Sequence, residues 1–171
     1  ALLEDLGDDS LEKMALRSGP TECARLYTDA CSLIPRMQQL APPPGHRIEA
    51  FRREWDLELV SSKAQKWLDW SFPWIEGRSA RPQERKALRQ AFEKIASHCR
   101  ERPLRLAHRD FKAANLHRRP GIEETEWVMI DLQGAFLAPP EYDLVCLLRD
   151  AHVALPESQI GQHLQEIRLE L

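Results

Sequence analysis

The sequence predicts a mainly helical α+β domain in which a small antiparallel hairpin carries a polar loop. Three observations lead there. Most of the chain repeats apolar residues at helical spacing. Two short runs of strand character, Leu106-Ala107 and Trp127-Val128-Met129-Ile130, each deliver polar side chains at their ends. Finally, 171 residues make one domain of ordinary size, long enough to bury a substantial core.

In chain order, Leu2-Leu3-Glu4-Asp5-Leu6 is short and apolar and breaks at Gly7, as a strand or linker would. Asp8-Asp9-Ser10 can cap a short turn. Gly19-Pro20-Thr21-Glu22 starts a helix, with Pro in its first turn. Cys23, Leu26, Tyr27, Ala30, Leu33, Ile34 and Met37 give it one apolar face, and Pro42-Pro43-Pro44 ends it. Ile48, Phe51, Trp55 and Leu59 predict a second apolar stripe, continuing through Ala64, Trp67 and Leu68. Trp70, Phe72 and Trp74, with Pro73 among them, predict a loop. Arg81-Pro82-Gln83-Glu84 opens a long helix whose buried face is expected at Ala87, Leu88, Ala91, Phe92, Ile95, Ala96 and Cys99. A hairpin returns through Arg118-Arg119-Pro120-Gly121 to Glu126–Ile130. Pro139-Pro140-Glu141 starts a helix through Leu148, and a last helix runs from about Pro156 to the end.

Composition narrows the function. Hydrophobic residues are 43% of the chain and charged residues 30%, a globular balance, and the formal charge of -3 gives no pull toward nucleic acid or an anionic membrane. No apolar run approaches the roughly 20 residues of a membrane span. Cys23, Cys31, Cys99 and Cys146 lack zinc-ligand spacing and are expected as reduced thiols of a cytoplasmic protein.

The chemistry concentrates in His108-Arg109-Asp110-Phe111-Lys112-Ala113-Ala114-Asn115. Within eight residues this stretch offers an imidazole, a guanidinium, a carboxylate, an ammonium and a carboxamide. Asp131, at the end of the second strand, adds another carboxylate, followed by Leu132-Gln133-Gly134. Such a set can accept a proton, contact phosphate oxygens and offer hard oxygen ligands, the requirements of phosphoryl transfer.

His108-Arg109-Asp110 with Asn115, then Asp131-Leu132-Gln133-Gly134, resembles the catalytic loop and metal-binding turn of kinases. The ordered set, with Tyr142-Asp143-Leu144 and Leu147-Leu148-Arg149-Asp150, is similar to the aminoglycoside phosphotransferase and choline kinase-like family. Within it the wording resembles bacterial kinases of N-acetylmuramate and N-acetylglucosamine. The resemblance implies the large, C-terminal lobe of a protein-kinase-like fold over residues 9–171, with residues 1–8 as the interlobe hinge. It implies ATP and Mg²⁺ as cofactors and a sugar or amino-alcohol hydroxyl as acceptor.

By the same resemblance, Asp110 would take the hydroxyl proton and Lys112 would contact the γ-phosphate. Asn115 and Asp131 would hold the metal, and backbone groups of Glu4, Asp5 and Leu6 would face the adenine. His108, Arg109, Gln133 and Asp143 would support the site: His108 by bonding backbone near the metal turn, Arg109 by pairing with an acid, Asp143 by bracing the loop. Glu54 on a helix face and Trp70 are substrate candidates, and core packing is the competing reading for the aromatic patch.

Both ends of the sequence stop in mid-pattern, so the lobe is expected to be cut at each end and to lack the small lobe with its glycine-rich loop. The 171-residue chain alone is then expected to be inactive, with an exposed lobe face open to self-association. Three alternatives stay open: an aminoglycoside or choline-type kinase, a non-catalytic pseudokinase or interaction module, and a protein kinase. Against the last, Pro139-Pro140-Glu141 follows Asp131 too soon to leave an activation loop.

Overall fold

A computed structural model describes residues 4–119 and 126–167. Among them are eight α-helices: α1 (Leu11–Arg17), α2 (Pro20–Cys31), α3 (Leu33–Gln38), α4 (Leu57–Lys66), α5 (Phe72–Glu76), α6 (Pro82–Arg100), α7 (Tyr142–Leu148) and α8 (Glu157–Ile167). Four short strands, β1 (Arg105–Ala107), β2 (Leu116–Arg118), β3 (Trp127–Met129) and β4 (Phe136–Ala138), form two antiparallel pairs, β1 with β4 and β2 with β3. The mainly helical α+β expectation and the β2–β3 hairpin hold. The expected turn at Pro120-Gly121, the start at Leu2-Leu3 and the last residues of the final helix lie outside the described residues.

Local chemistry explains the helix starts. The Ser10 side chain accepts from the Lys13 N–H at 3.3 Å and caps α1, so the expected turn is a helix. Pro20 begins α2, and the single helix expected through Met37 is broken at Ser32, whose hydroxyl donates to the Asp29 carbonyl at 2.6 Å. Asp56 caps α4, its Oδ1 accepting from the Leu59 N–H at 2.7 Å. At the head of α6, Glu84 reaches back to the Arg81 N–H at 2.7 Å and takes both Arg78 nitrogens.

Three sequence expectations need correction. The stripe from Ile48 to Leu59 is not one helix. A single 3₁₀ turn spans Glu49–Phe51, and α4 begins only at Leu57. The backbone between them belongs to β4: the Leu137 N–H donates to the Arg53 carbonyl and the Trp55 N–H to the Leu137 carbonyl, both at 2.8 Å. Glu54 therefore lies on an extended bridge, not on a helix face. Second, the aromatic patch is helical, a π-turn over Trp67–Ser71 running into α5, which tolerates Pro73 in its first turn. Trp70 and Trp74 are 77% and 87% exposed, so they do not lid the core. Third, only Ala96 of the expected buried face of α6 is buried, because this helix packs on α4 along one side. Ala87, Ala91 and Ile95 face outward.

The main core gathers Leu11, Leu26, Tyr27, Ile34, Leu144 and Leu147 from α1, α2, α3 and α7. Phe111 and Leu116, both fully buried, join it from either side of the polar loop. Each such burial contributes about 1.5–3 kcal/mol, so the loop is anchored by its own apolar residues. A second cluster packs Ala107, Phe136 and Ala138 against Trp55, Leu59 and Tyr142. Tyr142 meets Trp55 and Phe136 edge-on, with ring centres 5.3 and 5.2 Å away.

Candidate active site

The polar loop leaves β1 at His108 and is fixed from behind by one carboxylate. Asp143, in the first turn of α7, is almost wholly buried. Its Oδ2 accepts from the His108 N–H at 2.7 Å and its Oδ1 from the Arg109 N–H at 3.1 Å. Burial pushes its carboxyl up to about 6, against the pull of those two donors. Asp143 thus contacts the main chain of the loop at two successive residues. Arg109 sits at φ 79°, a left-handed conformation that costs a non-glycine residue roughly 1 kcal/mol or more. Asp143 holds it there.

His108 is fully buried, and its Nε2 donates to the Ile130 carbonyl at 2.8 Å. Since a carbonyl only accepts, Nε2 carries the proton; Nδ1 is buried without a partner among the described residues. Burial lowers the affinity of the ring for a second proton. The imidazole therefore ties the loop to the end of β3. Ile130 is held from its other side by its own N–H, which donates to the Asn115 carbonyl at 3.0 Å. Asp131 follows at φ 71°, and its Oδ1 accepts from the Gln133 amide.

Asp110, Lys112 and Asn115 meet directly. The Asn115 amide donates to the Asp110 carbonyl at 2.9 Å and to its Oδ2 at 3.2 Å. Lys112 Nζ stands 3.1 Å from the same Oδ2, and that hydrogen bond raises its pKa. Among the described residues Asp131 is hydrogen-bonded to neither Asp110 nor Asn115; the Asp110 and Asp131 carboxylates both act electrostatically on His108 and Lys112. With its nitrogen turned to Asp110, Asn115 keeps Oδ1 without a donor among the described residues. That oxygen and the Asp131 carboxylate are hard donors of the kind Mg²⁺ takes, so the residues present fit that ion. Among the described residues no group of three or more His, Cys, Asp or Glu is gathered for a metal.

Other expected site residues fall apart from this cluster. Glu4 forms a two-pronged ion pair with Arg119 at 2.9 and 3.0 Å, and Asp5 Oδ1 accepts from the Gly7 N–H. Among the described residues the main chain of Glu4–Leu6 pairs with no other main-chain group. Arg109 was expected to pair with an acid, but its contact with Asp143 is through the backbone N–H. Its guanidinium has no ion pair among the described residues, so the acid contact of Arg109 is made by its main chain alone.

Instead Arg109 lines a cleft of about 500 Å³ together with Arg52, Arg53, Glu54, Leu59 and Phe136. Glu54 is thereby joined to the loop, and Trp70 is not among the lining residues. Two contributors escaped sequence reasoning. Asp150, quoted there only within a motif, accepts from the Ala113 N–H at 3.0 Å and so holds the far end of the loop. Gly134 leaves room for Arg109, whose Cδ would lie 3.2 Å from a Cβ at that position.

The comparisons with known proteins agree with the resemblance read from the motifs. The sequence profile of the phosphotransferase enzyme family matches residues 1–168. An N-acetylmuramate/N-acetylglucosamine kinase of Neisseria meningitidis serogroup B (strain ATCC BAA-335 / MC58) is 28% identical over 160 residues, covering 91% of this chain and 44% of that protein. A protein of the same name from Pseudomonas putida (strain KT2440) is 27% identical over 146 residues, covering 79% of this chain and 37% of that protein. The chain thus spans less than half the length of these curated relatives. Among the described residues no helix is long and apolar enough to cross a membrane.

Proposed function

Because the chain belongs to the phosphotransferase enzyme family, we propose that it forms the catalytic part of an ATP-dependent kinase of small hydroxylated molecules. Its acceptor would be an amino sugar such as N-acetylmuramate or N-acetylglucosamine, the substrates named for two relatives. The observation that carries this reading is the meeting of Asp110, Lys112 and Asn115 around one carboxylate oxygen, in a loop held at both ends by buried acids.

In this reading Asp110 orients the acceptor hydroxyl and takes its proton late, since the transition state of phosphoryl transfer is loose. Lys112 leaves Asp110 for the more negative γ-phosphate oxygens and neutralises charge there. Mg²⁺, held by Asn115 Oδ1 and Asp131, would supply charge neutralisation on the phosphates. His108 stays neutral and keeps Ile130, and with it Asp131, at a fixed distance from the loop. Glu4, Asp5 and Leu6 would offer their backbone groups to the adenine, as a hinge before a large lobe comprising residues 9–171.

The test is ADP formation by the full-length protein against a panel of amino sugars, aminoglycosides and amino alcohols. Sugar-dependent turnover that falls about 10³-fold or more in Asp110→Ala is expected. Turnover in Asp110→Ala equal to wild type would overturn the assignment.

A further inference from the structure

The cleft beside the loop has an unusual balance of partners. Among its lining residues are three guanidinium groups, and they are not equally committed. Arg52 leans on Glu49 at 3.7 Å, whereas Arg53 and Arg109 have no ion pair among the described residues. Three carboxylates also line it. Asp56 is spent on the N-terminus of α4, leaving Glu54 and Glu58. Neither remaining acid is in hydrogen-bonding or ion-pair contact with an arginine among the described residues.

Both uncommitted arginines are held by their main chains. The Arg53 carbonyl is locked onto Leu137 of β4, and Arg109 is fixed by Asp143 and by the room that Gly134 leaves along its stem. A planar guanidinium is a matched donor for a carboxylate, presenting two parallel N–H groups. Carboxylates such as Glu54 are acceptors for sugar hydroxyls. Arg109 precedes Asp110 in the chain, and it is the residue of the polar loop that lines the cleft.

We propose that this cleft recognises an acidic amino sugar through its carboxylate, with Arg109 and Arg53 as the residues that set preference for a charged over a neutral sugar. This rests on the amino-sugar kinase reading above and goes beyond it by assigning the anion-binding groups. N-acetylmuramate and N-acetylglucosamine are suitable probes, since they differ by a lactyl ether that carries the only carboxylate.

The experiment uses the full-length protein as wild type, Arg109→Gln and Arg53→Gln. For each, kcat/KM is measured with both sugars, and binding of both sugars is followed by calorimetry. The ratio of kcat/KM for N-acetylmuramate over N-acetylglucosamine is expected to fall about tenfold or more in Arg109→Gln and about threefold or more in Arg53→Gln. A general loss of folding or catalysis lowers both rates and leaves the ratio in place. A ratio unchanged within about twofold in both variants overturns the anion site while leaving the kinase reading intact. Arginine-dependent binding of N-acetylmuramate with phosphorylation of neither sugar upholds the anion site and sinks the amino-sugar kinase reading. Absence of binding by either sugar to the wild type sinks the anion site.

Discussion

Removal of Asp143 is the perturbation whose size the structure defines best. Asp143→Ala leaves two N–H groups without an acceptor, that of His108 buried and that of Arg109 part-buried. Each such orphan costs about 1–3 kcal/mol, so the acceptor loss amounts to roughly 2–6 kcal/mol out of a total stability of about 5–15 kcal/mol. The substitution also removes a buried charge, and this part depends on pH.

The carboxyl titrates near 6 in the folded protein against an ordinary 3.8, because burial outweighs its donors. A raised carboxyl binds its proton more tightly when folded, so its contribution to stability is fully present below about pH 3.8 and is lost as pH rises through 6. Between pH 4.5 and pH 7.5 that loss is roughly 2 kcal/mol. Asp143→Ala should therefore destabilise more at pH 4.5 than at pH 7.5, by about 2 kcal/mol. Urea denaturation of both proteins at the two pH values measures the difference. A penalty that grows toward pH 7.5 would refute the reasoning, since the two N–H donors would then outweigh burial and hold the carboxyl below its ordinary value.

Three further outcomes are expected. Asp131→Asn should raise the Mg²⁺ concentration giving half-maximal turnover in the full-length protein about tenfold or more, read from a metal titration at saturating ATP; an unchanged titration removes Asp131 from the metal. Asp150→Ala should expose the Ala113 N–H to exchange and cost about 1–3 kcal/mol. Burial raises the Asp150 carboxyl, but donors from His152 and Ala113 outweigh it and hold it below its ordinary value, so the wild-type advantage should shrink as pH falls into the acid range; amide exchange and denaturation at two pH values check both. Ser10→Ala should cost about 1 kcal/mol through loss of the α1 cap, and a denaturation midpoint unmoved at neutral pH would contradict it.

The division between what could and could not be read from sequence has a physical cause. Helix starts at Pro20, Pro82 and Tyr142 and the β2–β3 hairpin depend on neighbours along the chain, and the residue types announce them. β4 went unread because Phe136-Leu137-Ala138 is three residues long and is a strand only by virtue of partners at Arg105–Ala107 and Arg53–Trp55. The same tertiary pairing defeated the apolar stripe from Ile48 to Leu59, where helical spacing is present but the main-chain groups are already taken by Leu137. A local pattern loses whenever a distant strand offers the backbone better hydrogen bonds.

The same distinction separates the two halves of the candidate site. Asp110, Lys112 and Asn115 lie within six positions, so their spacing alone brings them to one point once the loop is held. The cleft draws on residues 52–62, on Arg109 and on Phe136, three stretches brought together by β4 and its two partners. Arg109 shows why such a pocket is hard to read. The resemblance implies an acid partner, but Asp143 is met by the Arg109 backbone N–H, while its stem runs past Gly134 and the residue lines the cleft. Reaction chemistry can be written in one loop because phosphoryl transfer needs groups a few ångströms apart. Acceptor preference must be shaped around a whole molecule, so it is distributed over segments whose meeting only the fold discloses.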